Sequence, residues 1–87
     1  MKKDVVAGLG EIGYPILKFL SKNQITVGYD VDERLMNKSK FKKFQETQTS
    51  FLHIAIPVTS KFDSNLLQLY KKFKPECIVI HSTIGPG

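Results

Sequence analysis

Three glycines near the amino terminus stand at a spacing that can hold a phosphate. Gly8, Gly10 and Gly13, with Leu9, Glu11 and Ile12 between them, fit G-x-G-x-x-G. In a dinucleotide site the first glycine permits a tight turn and the second lets a pyrophosphate approach the backbone. The third lets the following helix pack closely on the strand. A helix that starts there offers unpaired N–H groups and the positive end of its dipole to the anion. About twenty residues further on, Asp30 closes an apolar run that begins at Ile25. A carboxylate in that place accepts hydrogen bonds from the adenosine ribose and repels a 2′-phosphate, so the expected cofactor is NAD rather than NADP. The plainer reading is a strand, turn and helix whose glycines serve only the turn.

The remaining reactive side chains carry weaker signals. His53 sits among apolar neighbours and reads as a satisfied core histidine rather than a ligand. His81 ends an apolar run and reaches the rim of the expected cleft, where a ligand could meet it, but no partner acid is in view. Cys77 reads as a small hydrophobe. Glu11 is a carboxylate beside a phosphate site, and in a first helical turn it is favourable if it points outward.

These groups need elements to position them. The spacing predicts a strand over residues 4–8 and a helix over 11–22 whose inward stripe is Ile12, Pro15, Ile16, Phe19 and Leu20. A second strand is expected over 25–30. Asp32 can cap a helix starting near Glu33, with Leu35 and Met36 facing inward. Residues 37–50 are the least readable stretch. Phe41 and Phe44 are apolar anchors in a lysine-rich segment, which fits either a continued helix or a short helix followed by an abbreviated strand; the helix is the favoured reading. Residues 51–56 form a near-continuous apolar run, as in a parallel strand buried on both faces, and Pro57 ends it. Ser60 and Asp63 have the spacing of a capping box for a helix to about Lys74, which buries Leu66, Leu67, Leu69, Tyr70 and Phe73 and stops at Pro75. The last strand is 77–81, left by the loop from Ser82 to Gly87.

Four strands separated by helical segments give a parallel α/β sheet. Right-handed crossovers put the first helix on one face and the later ones on the other, with strand order 2-1-3-4. The switch point then lies between the first and third strands, and ligands of open α/β sheets bind there, outside the carboxyl ends. The glycine turn, Asp30, residues 56–59 and residues 82–83 all converge on that edge.

Bulk composition narrows the function classes. With 87 residues the chain is one small domain, 41% hydrophobic and 24% charged, without repeats or low-complexity runs. Its single cysteine excludes an internal disulfide and a cysteine-based metal cluster, so no metal site is expected. No apolar run is long enough for a membrane span and no signal-peptide core precedes the first strand, so the expected compartment is the cytoplasm. The net charge is +5, with lysines concentrated at 38–43 and 71–74. Without an aromatic stacking platform or a nucleic-acid motif these read as solvated helix faces, and no nucleic-acid partner is expected.

Four motifs in order resemble the UDP-glucose/GDP-mannose dehydrogenase family, and more loosely the wider group that includes 6-phosphogluconate dehydrogenase. Gly8-Leu9-Gly10-Glu11-Ile12-Gly13-Tyr14-Pro15 resembles that family's G-x-G-x-x-G-x-P opening. Gly28-Tyr29-Asp30 is similar to its strand-two ending, Ile56-Pro57-Val58-Thr59 to its V-P-T loop, and Ser82-Thr83-Ile84-Gly85-Pro86-Gly87 to its S-T-V-P-P-G loop. The resemblance implies a minimal Rossmann-type NAD-binding domain, with the three glycines on the pyrophosphate and Asp30 on the ribose. It further implies that Pro57 and Thr59 line the cofactor cleft and that Ser82 and Thr83 belong to the loop nearest the nicotinamide. The departures are a shorter segment between Asp30 and Phe51, and His81 where the family carries glutamate. The family's oxidising lysine, asparagine and cysteine would lie in a substrate domain beyond Gly87, so no catalytic residue is assigned within the chain. The expected function is therefore the NAD(H)-binding part of a nucleotide-sugar or 6-phosphogluconate-type dehydrogenase. The alternatives are a free-standing NAD or adenine-nucleotide module, or an S-adenosylmethionine or FAD site. Strands three and four would lack a helix on the first helix's face, and their alternate residues read as apolar in either register. Self-association across that side, or a missing substrate domain or subunit there, is the expected consequence.

Overall fold

Val5, Val6 and Ala7 are almost wholly shielded from solvent in the first strand, β1, which spans Lys2–Ala7. A strand covered on both faces needs such an unbroken apolar run. The elements that follow are α1 (Gly13–Ser21), β2 (Thr26–Tyr29), α2 (Lys38–Lys43), β3 (Gln48–Ile54), α3 (Phe62–Phe73) and β4 (Cys77–Ile80). The computed structural model describes residues 1–56 and 61–81. Among these the strands form one parallel sheet in the order β2-β1-β3-β4, as the crossover argument required.

The register assigns the faces. Val5 pairs with Val27 and Leu52, Ala7 with Tyr29 and Ile54, and together with Leu69 of α3 they make the core. Phe41 of α2, Phe44 just after it, and Phe62, Leu66 and Phe73 of α3 pack around it. The other face carries Val6 and Gly28, and Leu17 of α1 lies against Gly28. Helices thus cover both faces, and no helix among the described residues is long and apolar enough to cross a membrane.

Several local expectations are corrected. The side of α1 turned to the sheet is Gly13, Ile16, Leu17 and Leu20, because the helix starts at Gly13 and its buried stripe is phased from that contact. Phe19 and Ile12 are exposed, and so is Pro15. Asp32 does act as a cap, its side chain accepting from Arg34 N–H, but it caps a single 3-10 turn over Glu33–Leu35, and Leu35 is exposed. The favoured continuous helix over 37–50 gives way to the six-residue α2, capped by Asn37, and to an early start of β3 at Gln48. The cause is long-range. Gln48 and Thr49 pair with Lys2 and Lys3, Thr49 is buried, and the Lys3 amine donates to the Thr47 carbonyl. In α3, Leu67 and Tyr70 are half exposed while Leu69 is buried. That helix begins after Lys61 without a side-chain cap, and Ser60 lies outside the described residues. It ends where expected, with Lys74 in the left-handed region at φ 46° before Pro75. Cys77 is exposed on the edge strand rather than packed.

Candidate functional site

β1 ends at Ala7, and the chain turns at once because Gly8 takes φ +96°, a conformation that L side chains rarely adopt. A Cβ added to Gly8 would also lie 2.7 Å from the Ala55 carbonyl oxygen. Gly13 is more tightly held: its Cβ would fall 1.6 Å from the Gly8 carbonyl oxygen and 3.2 Å from Ala55 Cβ. Helix α1 therefore starts directly against the end of β1, and only glycine fits the contact. Gly10 is the opposite case, with nothing among the described residues within 4 Å of an added Cβ. The turn is closed where it meets protein and open at Gly10. Its other members divide the same way: Leu9 is buried over Gly28, while Glu11 and Ile12 face outward. Tyr14 N–H bonds to Gly10 O at 3.1 Å, and no side chain caps the start of α1.

Asp30 follows β2 and has a structural role. One carboxylate oxygen accepts from Leu9 N–H at 2.8 Å and the other from Asp32 N–H at 2.8 Å. It thereby ties the glycine turn to the end of β2 across twenty-one positions of sequence. A carboxylate has about four acceptor positions, so two remain for an incoming hydroxyl pair. Beside it opens a cavity of about 430 Å³ between the carboxyl ends of β1 and β2 and the flank of α3, lined by Gly8, Asp30, Ile56, Gln68, Leu69 and Lys72 among others. An adjoining depression of about 630 Å³ shares Asp30 and Lys72 and adds Arg34 and Lys38. Two of its charges are already matched: Arg34 forms a fork with Asp32 at 3.0 Å, and Lys38 lies 3.6 Å from Glu33. That fork holds the Asp32 carboxyl below its usual range. Lys72 Nζ stands 5.3 Å above the Tyr29 ring.

Of the residues expected at the site, Gly8 to Gly13 and Asp30 are brought together at the switch-point edge. Pro57, Thr59, Ser82 and Thr83 lie outside the described residues. Reading the sequence missed the contribution of α3. Asn65, Gln68 and Leu69, and Lys72 recur at helical spacing and line the cavity; that i, i+3, i+4, i+7 recurrence was the signal available. No group of three or more His, Cys, Asp or Glu side chains among the described residues is arranged to hold a metal ion.

Two further polar groups were misjudged. His53 is buried, but only one of its nitrogens is satisfied: Nδ1 lies 2.9 Å from His81 Nε2, while Nε2 has no hydrogen-bond partner among the described residues. The acid absent from the sequence reading is Asp4, a buried carboxylate 3.6 Å from that Nε2. Burial, and then the proximity of His53, hold His81 below the ordinary histidine value. The face of β3 and β4 expected to be apolar in either register thus presents two histidines beside Phe51, Cys77 and Val79. The alternation that places Phe51 there also places His53 there.

No family model, curated protein or solved structure matches this chain.

Proposed function

We propose that the chain is an NAD(H)-binding domain of the kind found in nucleotide-sugar and 6-phosphogluconate dehydrogenases. The observation that carries this reading is the asymmetry of the glycine turn, in which Gly8 and Gly13 are closed by protein contacts and Gly10 faces open space. A turn needed only to reverse the chain has no use for the second glycine at the open position. A pyrophosphate approaching the backbone does. The adenosine would occupy the cavity of about 430 Å³, with its ribose hydroxyls on the remaining acceptor positions of Asp30. Bound there, the cofactor would supply hydride exchange at its nicotinamide. The chain's own residues bind and orient it, and none is assigned to chemistry on a second substrate. The uncovered side of β3 and β4 would meet a substrate domain, a separate subunit or a second copy.

Calorimetry with NAD, NADH and NADP tests the reading. NAD should bind more tightly than NADP, and Asp30→Ala should weaken NAD by roughly 10- to 150-fold, the equivalent of a hydrogen bond to a charged group at about 1.5–3 kcal/mol. Equal affinity for NADP would remove the role given to Asp30. The chain alone should produce no NADH from UDP-glucose or 6-phosphogluconate. Turnover would make it a complete enzyme, and light scattering that shows a clean monomer at tens of micromolar would remove the second copy from consideration.

A further inference from the structure

Asp4, His53 and His81 form a line across the α1 face of the sheet, from β1 through β3 to the residue after β4. Asp4 is held at the inner end by the Gln24 side-chain amide, which donates to Oδ2. The same oxygen lies 3.6 Å from His53 Nε2. A bare lone pair on that nitrogen would face the carboxylate and be repelled, whereas an N–H there is attracted. Neutral His53 therefore carries its hydrogen on Nε2, which makes Nδ1 an acceptor. Nδ1 is 2.9 Å from His81 Nε2, so His81 donates from Nε2 and its own Nδ1 is left as a lone pair. The two rings are stacked at 24° with centroids 5.1 Å apart, which fixes their mutual orientation.

The outer end of this line lies next to the glycine turn. His81 N–H bonds to Ile54 O at 2.8 Å, which sets His81 beside Ala55 in the ladder. Ala55 is the residue against which Gly13 packs. Among the described residues, the two rings make their hydrogen-bond and ion-pair contacts with each other and with Asp4. β2 contributes the neutral Thr26, in register with Asp4, and α1 turns Ile16, Leu17 and Leu20 inward. β4 adds the exposed Cys77 two register positions from Val79 on the same side.

We propose that His81 is the proton-accepting group of this site, a neutral base whose Nδ1 makes no hydrogen bond among the described residues, positioned by His53 and, through it, by Asp4. The inference rests on the nucleotide reading for the location of the ligand, on the β3 and β4 side of the glycine turn. The ligand class is one that presents a hydroxyl there. The hydroxyl first hydrogen-bonds to Nδ1. On transfer its O–H bond breaks, an N–H bond forms at Nδ1, and the oxygen keeps the electron pair. The new imidazolium keeps its Nε2–H bond to His53, whose own Nε2–H faces the Asp4 carboxylate. This is the arrangement in which a base is oriented by a third group. Burial of His81 favours its neutral form, the form with a lone pair at Nδ1.

Nitrogen NMR of the histidine rings in the full chain tests the line without any ligand. Both rings should show the Nε2–H tautomer at neutral pH, with His81 titrating below the ordinary value of about 6.5. Asp4→Asn, which replaces the carboxylate by an amide able to donate, should mix the tautomers of both rings, a change that a merely packing role would not produce. A wild-type His81 carrying its hydrogen on Nδ1, or tautomers untouched by Asp4→Asn, overturns the proposal. Should Asp4→Asn fail to fold, the wild-type spectrum decides alone. NADH titrations at about pH 5.5 and about pH 7.5, on either side of that histidine value, test the ligand. Wild type should bind several-fold more weakly at the lower pH, and His81→Gln should lose that difference. If His81→Gln keeps the wild-type pH dependence, His81 is not the acceptor. NADH that fails to bind at either pH removes the nucleotide reading, and the line is then judged on the ring tautomers.

Discussion

On one face of the sheet Val5, Ala7, Val27, Leu52 and Ile54 meet α2 and α3 through a shell of aromatic rings. Tyr29, Phe41 and Phe73 stand within 5.4 to 6.2 Å of one another, centroid to centroid. On the other face, α1 covers β1 and β2 through Gly13, Gly28 and Leu17, and the β3 and β4 half presents Phe51, His53, Cys77, Val79 and His81. Large side chains fill the first face. Glycines, a buried carboxylate and two histidines occupy the second. Burial of apolar area drives folding, so the first face carries most of the stability. The second gives up apolar contact for close backbone approach and for polar groups.

Adjacent residues of β3 provide the sharpest way to break this comparison. Leu52 is 0% exposed in the core, and Phe51, one position earlier, is 43% exposed on the other side. Leu52→Ala should cost about 2–5 kcal/mol in urea unfolding. Phe51→Ala should stay within about 0.5 kcal/mol, as for surface positions. Equal costs would mean that the second face is packed in solution and that the two faces are not distinct.

The next largest effect separates two glycines of one turn. Gly13→Val drives a side chain into the Gly8 carbonyl, a backbone atom that cannot swing aside, so its cost should reach or exceed the upper end of the roughly 1–3 kcal/mol typical of overpacking. Gly10→Ala meets open space and should leave the melting temperature nearly unchanged while weakening NAD. A Gly13→Val protein that melts like wild type would remove the close contact on which the site is built.

Asp30→Ala comes third. It removes two hydrogen bonds that a charged group accepts from backbone N–H groups, each worth about 1.5–3 kcal/mol, less whatever water restores at this half-exposed position. The loss should appear in thermal melting without nucleotide, because Asp30 ties Leu9 to β2 before any ligand arrives. If stability is untouched and only NAD affinity falls, Asp30 is a ligand contact alone.

The sequence was legible where local pattern and tertiary role agree. β1, the glycine turn and Asp30 each carry their own signal, and strand order followed from crossover handedness without any contact information. It was illegible where a distant partner decides. Gln48 to Ser50 look helical or irregular until Lys2 and Lys3 lie beside them, and the phase of α1 depends on Gly13 meeting Ala55. Asp4 gave no signal because its partners, Gln24 and His53, are twenty and forty-nine positions away in sequence and meet it only through the register of the sheet.

The smallest expected effect concerns pH and bears on the second face alone. His81 has its affinity for a proton lowered in the folded state, by burial first and by His53 second. The unfolded chain, where the histidine is unperturbed, then binds more protons than the native one between the two values, so stability rises with pH through that window. The contribution of neutral His81 is fully present above the ordinary value of about 6.5 and is lost as pH falls from there through the lowered native value. Melting temperature should therefore drop modestly between about pH 7.5 and about pH 5, and His81→Gln should flatten that part of the curve. Both histidines of the chain lie on the second face and the buried core cluster consists of Val, Ala, Leu and Ile side chains, so Leu52→Ala should lower the whole curve without changing its slope. A slope unchanged by His81→Gln, or altered by Leu52→Ala, would show that the acid sensitivity does not come from the histidine side of the sheet.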